Sequence, residues 1–182
     1  TAERTALNFL GRMCGVATHV PRHVEAVAGT GAAIVDNRKT LPGWRALDKY
    51  AVATGGGTNH RMGLYDGVLL KDNHAAAAGS LAAAVARALA RVPEGIPVQV
   101  EVQSLEEARA ACAAGATFLL LDNLAPDDVA TIVAELGGRA TLEASGGITL
   151  RNVRAYAETG VHRISLGALT HSEPNADIAL EI

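Results

Sequence analysis

Val98-Gln99-Val100-Glu101-Val102-Gln103-Ser104-Leu105-Glu106-Glu107, followed by Gly115 and then Phe118-Leu119-Leu120-Leu121-Asp122, is the stretch on which the fold turns. Val98 to Val102 and Phe118 to Leu121 are short apolar runs that read as buried strands. Between them, Ser104 and Glu107 stand at the S-x-x-E spacing of a capping box, and Gly115 is placed to end the helix that the box begins. A strand, a capped helix and a second strand form a β-α-β unit, whose crossover makes the two strands parallel.

Outward from this unit the same alternation continues. Ala33 to Val35, Val68 to Leu70, Thr141 to Ala144 and Arg163 to Leu166 complete a set of six candidate parallel strands, each ending near polar residues. Leu81, Val85, Leu89 and Val92 form one helical stripe, and Trp44, Leu47 and Ala51 form another behind Pro42, which suits a first helical turn. Pro126 opens a helix whose inner face is Val129, Ile132, Val133 and Leu136, and Thr149 and Gly160 bracket the next. A long opening helix, from Leu7 to about Val27, carries the apolar spacing of Leu7, Leu10 and Cys14, with Pro21 expected to bend or divide it. No repeat beyond the β-α unit and no low-complexity linker is present.

Composition agrees. Of 182 residues 49% are apolar and 3% aromatic, which suits close packing of helices on a sheet in one α/β domain. A net charge of -3, with no run of Lys and Arg, gives no support to nucleic acid or an anionic membrane as partner. No stretch is apolar for the ~18 residues of a membrane span. Cys14 and Cys112 lie among small residues and read as buried free thiols, which implies a reducing compartment. The opening Thr1-Ala2-Glu3-Arg4 shows no signal-peptide pattern, and the chain reads as starting within a longer protein.

Parallel β-α units form either an open doubly wound sheet or a barrel. Reactive side chains after most of the strands favour the barrel, whose site is built from the loops at the strand ends. Asp36-Asn37-Arg38-Lys39-Thr40-Leu41-Pro42-Gly43 follows the first strand; Gly55-Gly56-Gly57-Thr58-Asn59-His60-Arg61 joins flexible backbone to cationic donors; Lys71-Asp72-Asn73-His74 follows the second strand. A lysine buried at a strand end requires an anion, and Glu101 and Asp122 are carboxylates that need a cation, a hard metal ion or sugar hydroxyls. Ser145-Gly146-Gly147-Ile148-Thr149, with Gly167-Ala168 and His171, has the character of the phosphate site formed by the last two strand loops of a barrel. His19, His23 and His162 have no ligand spacing, and zinc or acyl-serine motifs are missing.

Taken together, Asn37 to Gly43, Asn59-His60-Arg61, Lys71-Asp72-Asn73-His74, Val100-Glu101-Val102, Leu121-Asp122-Asn123 and Ala144-Ser145-Gly146-Gly147-Ile148 closely resemble the quinolinate phosphoribosyltransferases, in order along the whole chain. The resemblance implies an incomplete, six-stranded TIM-like α/β barrel over residues 29–182, entered through a helical segment over residues 1–28. It also implies a separate N-terminal domain that packs on the other subunit's barrel and lends it an arginine, hence a homodimer or larger assembly with composite sites. The implied reaction joins quinolinate to phosphoribosyl pyrophosphate, with Mg2+ and with loss of carbon dioxide, in cytoplasmic NAD biosynthesis. By the same resemblance Arg38, His60, Arg61 and Lys71 bind quinolinate, and Lys39 lies nearer the reacting sugar. Ser145, Gly146, Gly147, Gly167 and His171 take the 5-phosphate, while Glu101 and Asp122 hold magnesium and the sugar hydroxyls. Lys39, Glu101 and Asp122 are the expected catalytic residues. Asn37 departs from the family's usual threonine, losing a methyl and a hydroxyl. A pyrophosphorylase-like protein of molybdenum transport, another phosphate-binding barrel enzyme and a non-catalytic phospholigand binder are the rival readings.

Overall fold

The computed structural model describes residues 2–181. In chain order its elements are α1 (Ala2–Ala26), β1 (Ala33–Val35), α2 (Arg45–Thr54), β2 (Val68–Leu70), α3 (Asp72–Ala78), α4 (Leu81–Leu89), β3 (Val98–Val102), α5 (Leu105–Ala113), β4 (Phe118–Asp122), α6 (Pro126–Leu136), β5 (Thr141–Ser145), α7 (Val153–Ala157), β6 (Arg163–Ser165) and α8 (Ala168–His171). All six expected strands are present within a residue of the expected ends.

The capping signals act locally as expected. The Ser104 hydroxyl accepts from the Glu107 amide at 3.1 Å, while the Glu107 carboxylate reaches back past the cap to the Gln103 amide at 2.8 Å. Gly115, at φ 100, turns the chain out of α5, a conformation that costs glycine nothing.

All pairings are parallel, in the order β1-β6-β5-β4-β3-β2, so β1 and β2 are the two edges. One cavity takes lining residues from β2 to β6 and from the loop after β1, which shows the sheet curled around it as an incomplete six-stranded barrel. Where a closing pair would lie, Thr58 bridges β1 instead: its amide donates to the Ile34 carbonyl at 2.8 Å and its carbonyl accepts from the Asp36 amide at 3.1 Å.

The period of two along each strand separates two environments. Val98, Val100, Val102, Leu119, Leu121, Leu142, Ala144 and Ile164 are buried in one apolar core with the inner faces of the helices, among them Val85, Ala108, Ala111, Val129, Ile132 and Leu136. Leu69, Gln99, Glu101, Leu120, Asp122, Glu143, Ser145 and Ser165 alternate with them and line the lumen. The lumen is thus polar toward the carboxyl ends of the strands, where barrel sites are built.

Some helical expectations need correction. α1 runs unbroken through Pro21, and its buried face is Gly11, Gly15, Val16, Val20 and His23, not the Leu7–Leu10–Cys14 stripe. Leu10 is 50% exposed. Cys14 is therefore an exposed thiol and Cys112 a half-buried one; both are free. The cause is a remote contact. Ala176 donates to the Gly11 carbonyl at 2.9 Å, and a Cβ on Gly15 would collide with the Pro174 carbonyl, so the carboxyl-terminal strap lies along the two glycines. Arg12 secures this arrangement, donating to both Asp48 oxygens at 3.0 Å, to the Thr170 carbonyl at 2.7 Å and to Glu173. Pro42 lies in a turn closed by Trp44 on Leu41 at 3.0 Å, and α2 begins only at Arg45. α7 likewise starts at Val153, after a turn in which the Asn152 carboxamide accepts from the Thr149 amide at 2.7 Å. Among the described residues no helix is long and apolar enough to cross a membrane.

Candidate active site

The loop after β1 is stiffened before its cations emerge. Asn37 Oδ1 accepts from the Lys39 amide at 2.8 Å, closing a local turn, and the Thr170 hydroxyl donates to the Lys39 carbonyl at 2.8 Å. Arg45 bonds Thr40 Oγ1, the Met62 carbonyl and the Arg38 carbonyl at 3.2, 3.2 and 3.4 Å, tying this loop to the next. With their backbones held, Arg38 and Lys39 are exposed and both line the lumen's upper cavity. Asn37 therefore supplies the loop's turn through its own carboxamide.

The next segment rests on a buried ion pair that motif reading does not single out. Lys49 Nζ lies 2.5 Å from Asp36 Oδ1 and donates to the His60 carbonyl at 2.8 Å; the His60 amide donates to Asp36 at 2.7 Å. The Asn59 carboxamide, correctly oriented, donates to the other Asp36 oxygen at 2.7 Å. Lys49 is 2% exposed and Asp36 fully buried. Burial pushes the Asp36 carboxyl up, and Lys49 and the His60 amide pull it back. The pair fixes Asn59-His60-Arg61 across the open side of the barrel. Arg61 donates to the Gly67 carbonyl at 2.6 Å, and burial, with Arg38 as a like charge nearby, lowers its pKa. Asp66 accepts from the Met62 and Gly63 amides at 2.6 and 2.8 Å and holds the return of this loop.

Lys71 pairs with Glu101 across β2 and β3. Its side chain is 46% exposed, so the argument from a buried lysine does not apply; the carboxylate, at 10%, is the buried partner. Asp122, at the end of β4, accepts from Asn123 Nδ2 at 2.8 Å. Among the described residues no cluster of three or more metal-ligating side chains occurs. Two lumen carboxylates nevertheless suit a hard ion such as magnesium, which keeps waters and ligand oxygens in most of its positions.

Arg38, Lys39, His60, Arg61, Lys71, Glu101, Asp122 and Ser145 thus surround one cavity of about 220 Å³. Gly146, Gly147, Gly167 and His171 lie outside that lining, on the loops leaving β5 and β6. Gly146 and Gly147 have φ 96 and 62. A Cβ on Gly146 would strike the Asn123 side chain, and one on Gly167 would meet His171 Nε2 at 2.9 Å and Asn37 Nδ2 at 3.0 Å. These glycines permit close approach where two loops meet.

Gln99 and Glu143, which line the cavity, and Arg163 beside them were not among the expected site residues. Glu143 is fully buried, with Oε2 2.9 Å from Arg163 Nε and Oε1 3.4 Å from His60 Nε2. The signal for them is the alternation in V-Q-V-E-V, T-L-E-A-S and R-I-S, which puts every second, polar side chain on the lumen face.

The family model of the quinolinate phosphoribosyl transferase C-terminal domain matches residues 16–181. The nicotinate-nucleotide pyrophosphorylase (carboxylating) of Mycobacterium leprae is 49% identical over 185 residues, covering 100% of this chain and 65% of that protein. Its counterpart in Rattus norvegicus is 41% identical over 187 residues, covering 99% of this chain and 62% of the relative. The solved nicotinate-nucleotide pyrophosphorylase of Francisella tularensis superposes with a TM-score of 0.93 at 41% identity, over 97% of this chain and 62% of that one. The chain thus spans a little under two thirds of the length of these relatives. With that match across nearly all of its length, the chain belongs to the quinolinate phosphoribosyl transferase family, to whose C-terminal domain it corresponds.

Proposed function

We propose that the protein transfers phosphoribosyl from phosphoribosyl pyrophosphate to quinolinate with decarboxylation, giving nicotinate mononucleotide, pyrophosphate and carbon dioxide for NAD biosynthesis. The observation that carries this reading is the meeting of Arg38, Lys39, Arg61 and Lys71 with Glu101 and Asp122 around one cavity. Quinolinate is a dianion, and several cations on fixed backbone offset the cost of removing it from water. Arg38, His60, Arg61 and Lys71, which line the cavity together, are assigned to its carboxylates. Lys39 is assigned to the reacting sugar, and Ser145, Gly146, Gly147, Gly167 and His171 to the 5-phosphate.

Departure of pyrophosphate leaves positive charge on the sugar, which Glu101 and Asp122 favour, and negative charge on the leaving group, which Lys39 favours. Glu101 and Asp122 would hold magnesium, which would supply further charge neutralisation to the leaving diphosphate. The quinolinate ring nitrogen attacks the sugar carbon that pyrophosphate leaves, forming the N–C bond and making the nitrogen cationic. Loss of carbon dioxide from the neighbouring ring carbon then leaves an electron pair beside that nitrogen, which takes up a proton from water, so the substrate is its own electron sink and the protein's task is to position it. An N-terminal domain from a second subunit, a dimeric assembly and a cytoplasmic site of action complete the proposal.

The test is pyrophosphate and carbon dioxide release by the full-length protein with quinolinate, phosphoribosyl pyrophosphate and magnesium, with nicotinate as control. Equal, quinolinate-dependent release is expected, and Lys39→Ala is expected to lower turnover at least ~100-fold. A variant that keeps turnover within about threefold, roughly 0.7 kcal/mol of barrier, would remove Lys39 from the mechanism.

A further inference from the structure

Lys39 and the residues assigned to the 5-phosphate come from opposite ends of the sequence, yet they serve one molecule. The 5-phosphate and the carbon that pyrophosphate leaves are carried by the same sugar, so the span between the loop after β1 and the loop after β6 decides whether both are engaged at once. The sheet sets that span only in part. β1 and β6 pair over three residues, Ala33 to Val35 against Arg163 to Ser165, and the Leu166 amide adds a last bond to the Val35 carbonyl at 3.0 Å. Among the described residues, no backbone bond joins residues 36–44 to residues 167–172.

Thr170 makes the connection instead. It is fully buried on α8, three residues after Gly167 and directly before His171. Its hydroxyl donates to the Lys39 carbonyl at 2.8 Å, across 131 residues of sequence; the Gly167 carbonyl, at 3.3 Å, is the more distant acceptor. A hydroxyl has one proton to give, and the nearer oxygen takes it. The donor is itself anchored, because the Thr170 carbonyl accepts from Arg12 at 2.7 Å and Arg12 is held by both Asp48 oxygens. At the other end, the Lys39 amide donates to Asn37 at 2.8 Å. The Lys39 backbone is thus restrained at its amide by its own loop and at its carbonyl by α8, while its side chain is exposed on the cavity.

We propose that Thr170 is a positioning residue for the transfer step: its hydroxyl ties the Lys39 backbone to α8 and so sets where the Lys39 side chain starts relative to Gly167 and His171. Binding at the 5-phosphate then presents the reacting carbon to Lys39 in register, and loosening the tie loses alignment rather than affinity. The proposal rests on the reading of Lys39 as acting at the reacting sugar. A merely local role, in which the hydroxyl closes its own helical turn on Gly167, would instead disturb the 5-phosphate residues and weaken binding of phosphoribosyl pyrophosphate.

The test compares Thr170→Val, which removes the hydroxyl at nearly constant volume, with Thr170→Ser, which keeps it, in the full-length protein and in its Lys39→Ala variant. Thr170→Val is expected to lower kcat about tenfold while the KM values for quinolinate and phosphoribosyl pyrophosphate stay within about threefold, and Thr170→Ser to stay within about twofold of wild type in kcat. In the Lys39→Ala background Thr170→Val is expected to cost less than about twofold, because the group it positions is gone. A measurement that needs no substrate accompanies these: protection of the Lys39 and Thr40 amides from exchange is expected to fall in Thr170→Val, with the Glu107 amide, bonded to Ser104 at 3.1 Å, as an unchanged reference. If Thr170→Val does not fold, Thr170→Ala carries the same readouts. A rise in the KM for phosphoribosyl pyrophosphate at unchanged kcat overturns the proposal, as do unchanged protection at Lys39, no rescue by serine, or costs that multiply in the double variant. If Lys39→Ala alone keeps turnover within about threefold, the reading of Lys39 fails and this proposal falls with it, whereas multiplying costs beside a damaging Lys39→Ala overturn the role of Thr170 alone.

Discussion

Lys49 and Asp36 show how much of a substrate site can depend on residues that never meet substrate. Their buried pair holds the His60 backbone from both sides, through its amide and its carbonyl. Removing one member leaves the other charged and unpaired in the interior, which costs ~3–5 kcal/mol. Lys49→Met is therefore expected to lower the free energy of unfolding by about that amount in urea titration. Asp66 makes a different, pH-dependent contribution. Its bonds from the Met62 and Gly63 amides lower its pKa below the usual 3.8. As pH falls, the unfolded chain takes up this proton first, so the stabilisation is complete above 3.8 and is lost as pH drops through the native value. Protection of the Met62 and Gly63 amides, measured relative to their intrinsic exchange rates, is expected to fall on acidification through that range, and to be low at every pH in Asp66→Ala. The pairing of Lys49 with Asp36 was not legible in the sequence, although Asp36 opens the charged loop after the first strand. A buried pair between α2 and the end of β1 is a tertiary fact, and in the linear sequence both partners look like ordinary surface charges.

At the scale of elements, the strands were readable because each is short, apolar and flanked by polar residues, and α5 because Ser104, Glu107 and Gly115 act within a few residues of themselves. α1 was misjudged because its buried face is decided by contacts from the other end of the chain. Glycines at positions 11 and 15 look unfavourable for a helix, and the Leu7–Leu10–Cys14 spacing looks like its core face. The strap over Pro174–Ala176 reverses that choice, since it can approach only where no side chain intervenes. Gly15→Ala is expected to improve helix propensity by a few tenths of a kcal/mol yet to destabilise the protein by ~1–3 kcal/mol through the forced displacement of the strap. Limited proteolysis would show earlier cleavage after Glu173 in the variant. A protein stabilised by the substitution would mean that the strap contributes nothing to the fold. The strap also connects to chemistry: Arg12 binds Glu173 and the Thr170 carbonyl, and the Thr170 hydroxyl holds the Lys39 carbonyl.

For the molecule as a whole, the barrel brings together groups scattered over most of the sequence, from Arg38 to Ser165, because strands β2 to β6 contribute alternate side chains to one lumen and the loop after β1 reaches into it. The charged loops at the strand ends were legible as motifs, and their convergence followed once the strands were taken as parallel. Gln99, Glu143 and Arg163 were legible only in the alternation, which motif reading passes over. The incomplete closure has a further consequence for self-association. A barrel that does not close keeps two sheet edges, and a sheet edge is a template for a foreign strand. Here both edges are three residues long, and Thr58 already occupies the hydrogen-bonding groups of β1 around Val35. An incoming strand would find too few free backbone groups at either edge to bind, so the same opening that gives His60 and Arg61 their place does not expose the protein to edge-to-edge aggregation.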